Sequence, residues 1–174
     1  MKNALISALK AITKEADQRS VKISVLGVGS ELRGDDGAGL LVAENLAKKC
    51  EEDKCGIDTR LQVIYGATAP ENFTSEIKKF TPTYLVIVDA AEMGEKPGTA
   101  RFIKREEVTG VTFSTHLLPL SVMLDYLGNS FDFKTIVIGI EPKDMGFDHK
   151  VSQEVASAVK TVSDAIYDFV KELI

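Results

Sequence analysis

Residues Val21–Gly39 read VKISVLGVGSELRGDDGAG, and the fold is decided by how this stretch is divided. Val21 to Val28 is apolar and rich in β-branched side chains, the composition of a buried strand. A glycine-broken loop follows, and a helix is expected over roughly Gly37 to Lys48. The unit is strand, loop, helix. Two further units extend the pattern. Leu61 to Tyr65 reads as a strand, Gly66 to Ala69 as a turn, and Pro70 suits the first turn of a helix ending near Phe80. Tyr84 to Val88 (YLVIV) is an unbroken apolar run, as expected of a central strand covered on both faces, and it is expected to stop at Asp89.

After Asp89 the Lys96-Pro97-Gly98 turn leads to a strand over Thr99 to Lys104. That strand comes too soon for a crossover helix, so it is expected to run antiparallel to its neighbour. A short helix over Pro119 to Leu127 precedes a strand at Thr135 to Ile140. Val151, Val155, Val159, Val162, Ile166, Phe169 and Leu173 then fall on one face of a long closing helix. The alternation predicts an α/β fold: a three-layer α-β-α sandwich around a mostly parallel, twisted five-stranded sheet with one antiparallel strand. Leu5, Leu9 and Ile12 mark an amphipathic helix within residues 1–20, expected to pack on a single domain spanning 21–174.

The 174 residues carry a net charge of -5 and are 44% hydrophobic, which is ample for one buried core. Disordered, collagen-like and disulfide-scaffold classes are excluded. An acidic balance without a Lys/Arg cluster longer than two argues against a nucleic-acid partner. No segment approaches the roughly 18 apolar residues of a membrane span. Lys10, Lys14 and Glu15 interrupt the apolar positions at the N-terminus, unlike a signal peptide, so a cytoplasmic location and no membrane contact are expected. Cys50 and Cys55 fit neither a CxxC redox pair nor a zinc knuckle and are expected to be thiols.

The loop after the first strand is not a nucleotide loop. A dinucleotide fingerprint needs a third glycine where Leu32 stands, and a phosphate loop needs Lys then Ser/Thr where Asp35 and Asp36 stand. Two carboxylates at a helix N-terminus repel phosphate and favour a cation or a shared proton. One of them can cap the helix, and Asp35 is expected to do so, leaving Asp36 to face the carboxyl edge of the sheet. Asp89 reads either as a turn residue or as a second acid at that edge. His116, in Phe113-Ser-Thr-His-Leu-Leu-Pro119, reads either as a structural hydrogen-bonding residue or as a ligand. His149, beside Asp148, reads as a surface or capping residue. If Asp36, Asp89 and His116 converge, two carboxylates and an imidazole form a facial set with open positions, suited to nickel, zinc or iron.

Five motifs in order carry a resemblance: GVGSELRGDDGAG (Gly27–Gly39), GATAPEN (Gly66–Asn72), IVDAAEMGEKPG (Ile87–Gly98), STHLLPL (Ser114–Leu120) and IGIEPKDMGF (Ile138–Phe147). From Val21 to the last helix the chain resembles the hydrogenase maturation proteases, and is most similar to the branch serving hydrogenases of the formate hydrogenlyase type. The resemblance implies an endopeptidase that removes the C-terminal extension of a nickel-iron hydrogenase large-subunit precursor after nickel insertion. It places the family's metal-contacting acids on Asp36 and Asp89 and its histidine on His116. The nickel is implied to arrive with the precursor, with no cofactor tightly bound to the isolated protein. A metal-free mechanism in which two aspartates share a proton stays open, as does the choice of base between Asp36 and Asp89. A non-catalytic nickel-binding assembly chaperone and a dinucleotide-dependent oxidoreductase are the alternative functions.

Overall fold

The computed structural model describes residues 1–14, 20–53, 59–104, 112–113 and 120–173. In chain order these form α1 (Lys2–Thr13), β1 (Ile23–Val28), α2 (Ala38–Glu52), β2 (Leu61–Ala67), α3 (Thr74–Phe80) and β3 (Tyr84–Glu92). They continue with β4 (Ala100–Ile103), β5 (Thr112–Phe113), α4 (Leu120–Gly128), β6 (Lys134–Ile140) and α5 (Gln153–Leu173). The main sheet has the order β2-β1-β3-β6-β4. Its first three pairings are parallel, and β4 runs antiparallel to β6. The expected five-stranded mixed sheet is therefore present. The two-residue β5 adds an antiparallel pairing to the end of β3, with Phe113 opposite Ala91.

Alternate side chains of the strands feed two cores, as the pleat requires. On one face, Ile23, Val25, Val86, Val88, Ile136 and Ile138 pack with α2 and with the stripe of α5 that includes Val155, Val159, Val162, Ile166 and Phe169. Leu5 and Leu9 of α1 join this core by lying on α5. On the other face, Leu26, Leu85, Ile87 and Val137 meet Ile77 of α3 and Met123 and Leu127 of α4. Fully burying one such aliphatic or aromatic side chain stabilises by roughly 1.5–3 kcal/mol, so the α5 stripe alone is a major source of stability.

Two glycines set how closely helix and sheet meet. A methyl on Gly39 of α2 would lie 2.1 Å from the Val88 carbonyl oxygen and 2.3 Å from that of Val28, and one on Gly27 would lie 2.3 Å from the Gly39 carbonyl oxygen. The backbone of α2 thus rests directly on β1 and β3, and Gly is required at both positions.

Several boundaries differ from the sequence reading. β3 does not stop at Asp89 but runs to Glu92, because β6 continues to pair with it through Asp89↔Gly139 and Ala90↔Ile140. Pro70 opens a single 3-10 turn, Pro70–Phe73, before α3 begins at Thr74. Val151 lies before α5, half-buried against the same core. Cys50 is half-buried and in no disulfide among the described residues; Cys55 lies outside them. No described helix is long and apolar enough to cross a membrane.

Candidate functional site

Parallel strands β1, β3 and β6 deliver their carboxyl ends to one rim, the edge where open α/β sheets hold ligands. The chain leaving β1 turns at Gly29, whose φ of +137° is open to glycine, and folds back so closely that a methyl there would overlap the Asp36 carbonyl oxygen at 1.8 Å. Asp36 belongs to a 3-10 turn, Gly34–Gly37, that packs on β3 and leads straight into α2. On the adjacent strand, β1 pairs with β3 as far as Gly27↔Val88, so Asp89 is the first β3 residue beyond that pairing. Its side chain follows the alternation of Leu85 and Ile87 towards the α3/α4 face.

Both carboxylates are withdrawn from water: Asp36 is 0% and Asp89 1% exposed. One oxygen of each, Asp36 Oδ2 and Asp89 Oδ1, is buried and accepts no hydrogen bond, while both residues are engaged through other interactions. Burying a carboxylate is costly unless something compensates its charge. His116 lies outside the described residues, as do the rest of Ser114–Pro119. Among the described residues no group of three or more His, Cys, Asp and Glu is placed to hold a metal ion.

Asp35 has a different task from the one expected. The helix it was expected to cap has Gly37 at the cap position and no side-chain cap bond. Asp35 instead reaches across the rim, with Oδ2 accepting from Lys143 N at 2.8 Å, Asp144 N at 2.9 Å and Ser152 Oγ at 2.9 Å. Its Oδ1 accepts from Ser152 N at 2.6 Å. These charge-assisted bonds satisfy backbone donors that a loop and the start of α5 would otherwise leave open. The expectation that one of the two acids is occupied structurally holds, but the partner is the segment after β6.

A second such acid was missed. Glu141, 8% exposed, directs Oε2 to Met93 N at 2.7 Å and Glu95 N at 3.1 Å. The signal was present: Glu141 follows the apolar run of β6 as Asp89 follows YLVIV. His149 stands at the surface as expected, with Nδ1 2.6 Å from Asp144 Oδ2. A backbone hydrogen bond from Gly146 and that His149 contact hold the Asp144 carboxyl below its usual 3.8.

An open pocket of about 390 Å³ adjoins the Asp36 loop, lined by Gly29, Ser30, Glu31, Leu40, Tyr65, Ala67 and Thr68. Tyr65 is 46% exposed there, and burial together with the nearby Glu44 raises its phenol pKa. A wider cavity, about 460 Å³, lies at the opposite end of the sheet among Phe131, Phe133, Leu124 and the start of β6. It is mostly apolar and remote from the buried acids.

Comparison with known proteins agrees with this architecture. Residues 40–169 match the family described as hydrogenase maturation protease. The hydrogenase 3 maturation protease of Escherichia coli K12 is 38% identical over 139 residues, covering 79% of this chain and 84% of its own. The crystal structure of a NiFe hydrogenase maturation protease, HycI from Thermococcus kodakarensis, superposes with a TM-score of 0.80 at 26% identity, covering 94% of this chain and 99% of that one. The solution structure of the E. coli endopeptidase HycI gives a TM-score of 0.71 at 35% identity, covering 85% and 90%.

Proposed function

Because this chain belongs to the hydrogenase maturation protease family, a family of peptidases, we propose that it removes the C-terminal extension of a nickel-iron hydrogenase large-subunit precursor once nickel has been inserted. Asp36, Asp89 and His116 are the residues that meet the precursor's nickel. The observation that carries this reading is the burial of Asp36, in the 3-10 turn that packs on β3, and of Asp89, on β3 itself just beyond its pairing with β1. Including His116 is supported by chain connectivity. Phe113 pairs with Ala91, two residues beyond Asp89, and His116 follows Phe113 by three residues, at most about 11 Å of extended chain.

Two buried carboxylates in one corner repel each other when both are charged, so without substrate one holds a proton or a loosely bound cation. A divalent ion arriving with the precursor removes that repulsion. Recognition of nickel and relief of an electrostatic cost are then the same event. The ion can polarise the scissile carbonyl or lower the pKa of a water, and a carboxylate released from metal contact can accept that water's proton. Hydrolysis places the water's hydroxyl on the carbonyl carbon and the proton on the leaving amine. The protein itself keeps no tightly bound metal, because the ion leaves with the processed subunit.

The test is incubation with nickel-loaded and nickel-free large-subunit precursor, followed by intact-mass measurement. The loaded precursor is expected to lose its extension and the nickel-free one to stay whole. Equal cleavage of both would remove the nickel-sensing role. Binding without cleavage would identify an assembly chaperone instead.

A further inference from the structure

Asp36 and Asp89 stand on separate elements, a 3-10 turn and a strand, and something must fix how far apart they are. The segment Glu141-Pro142-Lys143-Asp144 is tied to both. At one end, the Glu141 carboxylate accepts from Met93 N and Glu95 N, on the chain that leaves β3 four residues after Asp89. The Glu141 backbone adds two bonds to the same turn, with Glu141 N donating to Thr99 O at 2.9 Å and Gly98 N donating to Glu141 O at 2.9 Å. At the other end, Lys143 N and Asp144 N donate to the carboxylate of Asp35, the residue next to Asp36. Asp35 N donates in return to Asp144 O at 2.9 Å, and Asp148 N donates to Leu32 O at 2.7 Å. Between the two anchors stands Pro142, whose ring fixes its φ.

We propose that Glu141 and Asp35 are positioning residues that, through the short spacer containing Pro142, set the separation of Asp36 and Asp89. Neither touches the reacting atoms. Each spends its carboxylate on backbone N–H groups, closing a ring of constraint that runs from Asp36 through Asp35, Lys143, Pro142, Glu141 and Met93 back to Asp89. Rim loops without such ties would let two like-charged groups drift apart, and a misplacement of about 1 Å can cost about 100-fold in rate. The proposal rests on the reading of Asp36 and Asp89 as the metal-meeting acids.

The chemistry of the two anchors differs in a usable way. Glu141 employs one oxygen, Oε2, for both of its side-chain bonds, so the amide oxygen of a glutamine can replace it. In the full-length chain, Glu141→Ala is expected to lower kcat on nickel-loaded precursor about 10- to 100-fold with KM changed less than about twofold. Glu141→Gln is expected to restore kcat to within about threefold. The carboxyl 13C resonances of Asp36 and Asp89 should move in Glu141→Ala and return in Glu141→Gln, with most other resonances unchanged. Should Glu141→Ala fail to fold, Pro142→Gly loosens the spacer while keeping both anchors and is read by the same two measurements, with the same direction expected. Unmoved Asp36 and Asp89 carboxyl resonances, an unchanged kcat, or a Glu141→Gln enzyme as slow as Glu141→Ala each overturns the proposal. A wild-type chain that leaves the loaded precursor uncut defeats the protease reading instead, and the carboxyl resonances then decide the positioning role alone.

Discussion

Along the flank where α1 lies on α5, Leu5 and Leu9 are buried, while the ion pairs Lys2–Asp168 and Lys10–Glu172 stay at the surface. At the rim where β1, β3 and β6 end, the arrangement is reversed: Asp35, Asp36, Asp89 and Glu141 are all buried. The flank follows the ordinary partition of apolar from charged groups, and its exposed pairs contribute little to stability. The rim withdraws four acids from water, and the acceptor count separates them. Asp35 and Glu141 are committed to named backbone donors, whereas Asp36 and Asp89 each keep a buried oxygen that accepts nothing. Asp35 and Glu141 thus act as staples of the rim, and Asp36 and Asp89 are the two acids proposed above to meet the precursor's metal.

That division can be broken most directly at the proposed metal-meeting pair. Asp36→Asn and Asp89→Asn preserve shape while removing the charge proposed to meet the precursor's metal, and His116→Ala removes the third proposed contact. Each is expected to lower precursor cleavage by about a thousandfold or more, with the far-UV spectrum and thermal midpoint close to wild type. Full cleavage by any of them would remove that residue from the site.

A smaller effect sharpens the contrast between staple and flank. Asp35→Ala leaves the Lys143, Asp144 and Ser152 donors without their acceptor and is expected to cost about 4 kcal/mol in urea unfolding, cleavage falling with it. Leu9→Ala, in the wholly buried seam under α1, is expected to cost about 3 kcal/mol while cleavage per folded molecule is unchanged. If Asp35→Ala were as mild as an exposed substitution, the rim acids would lose their structural half.

The smallest effect is a dependence on pH. The Asp144 carboxyl is held below its usual 3.8 by the Gly146 backbone bond and by His149. Its contribution to folding is complete above 3.8 and disappears as pH falls through the depressed folded value. The small difference in thermal midpoint between wild type and Asp144→Asn should therefore be flat from neutral pH down to about 4 and close below it. A difference that stayed constant into stronger acid would show that the loop does not depend on that charge.

Apolar runs made most of the sheet legible. VKISVLGV, YLVIV and TIVIGI mark strands whether or not their neighbours are known, and the early strand after Pro97-Gly98 had no room for a crossover. The error at Asp89 has a simple cause. A charged residue looks like a strand end, yet β6 supplies backbone partners for two more positions. Asp35 was read as a cap because local rules consider the nearest helix, and its true partners lie 108, 109 and 117 residues further along the chain. Asp89 could be singled out because an acid directly after an apolar run is conspicuous, and Asp36 because only one of two adjacent acids can cap a helix. Glu141 has the same signature as Asp89, directly after the apolar run of β6, yet its side chain closes a backbone turn. His116 lies outside the described residues, and its proposed part in the site is tested by His116→Ala.

The bare backbone contact at Gly27 and Gly39 has a practical consequence for anyone redesigning this scaffold. With carbonyl oxygens where side chains would otherwise mediate, the second helix has no cushion that could be thinned or thickened to tilt it against the sheet. Retargeting to a different precursor must work through exchanges in the surrounding loops, which can be varied piecewise, and libraries that diversify the helix–strand seam will return mostly misfolded chains.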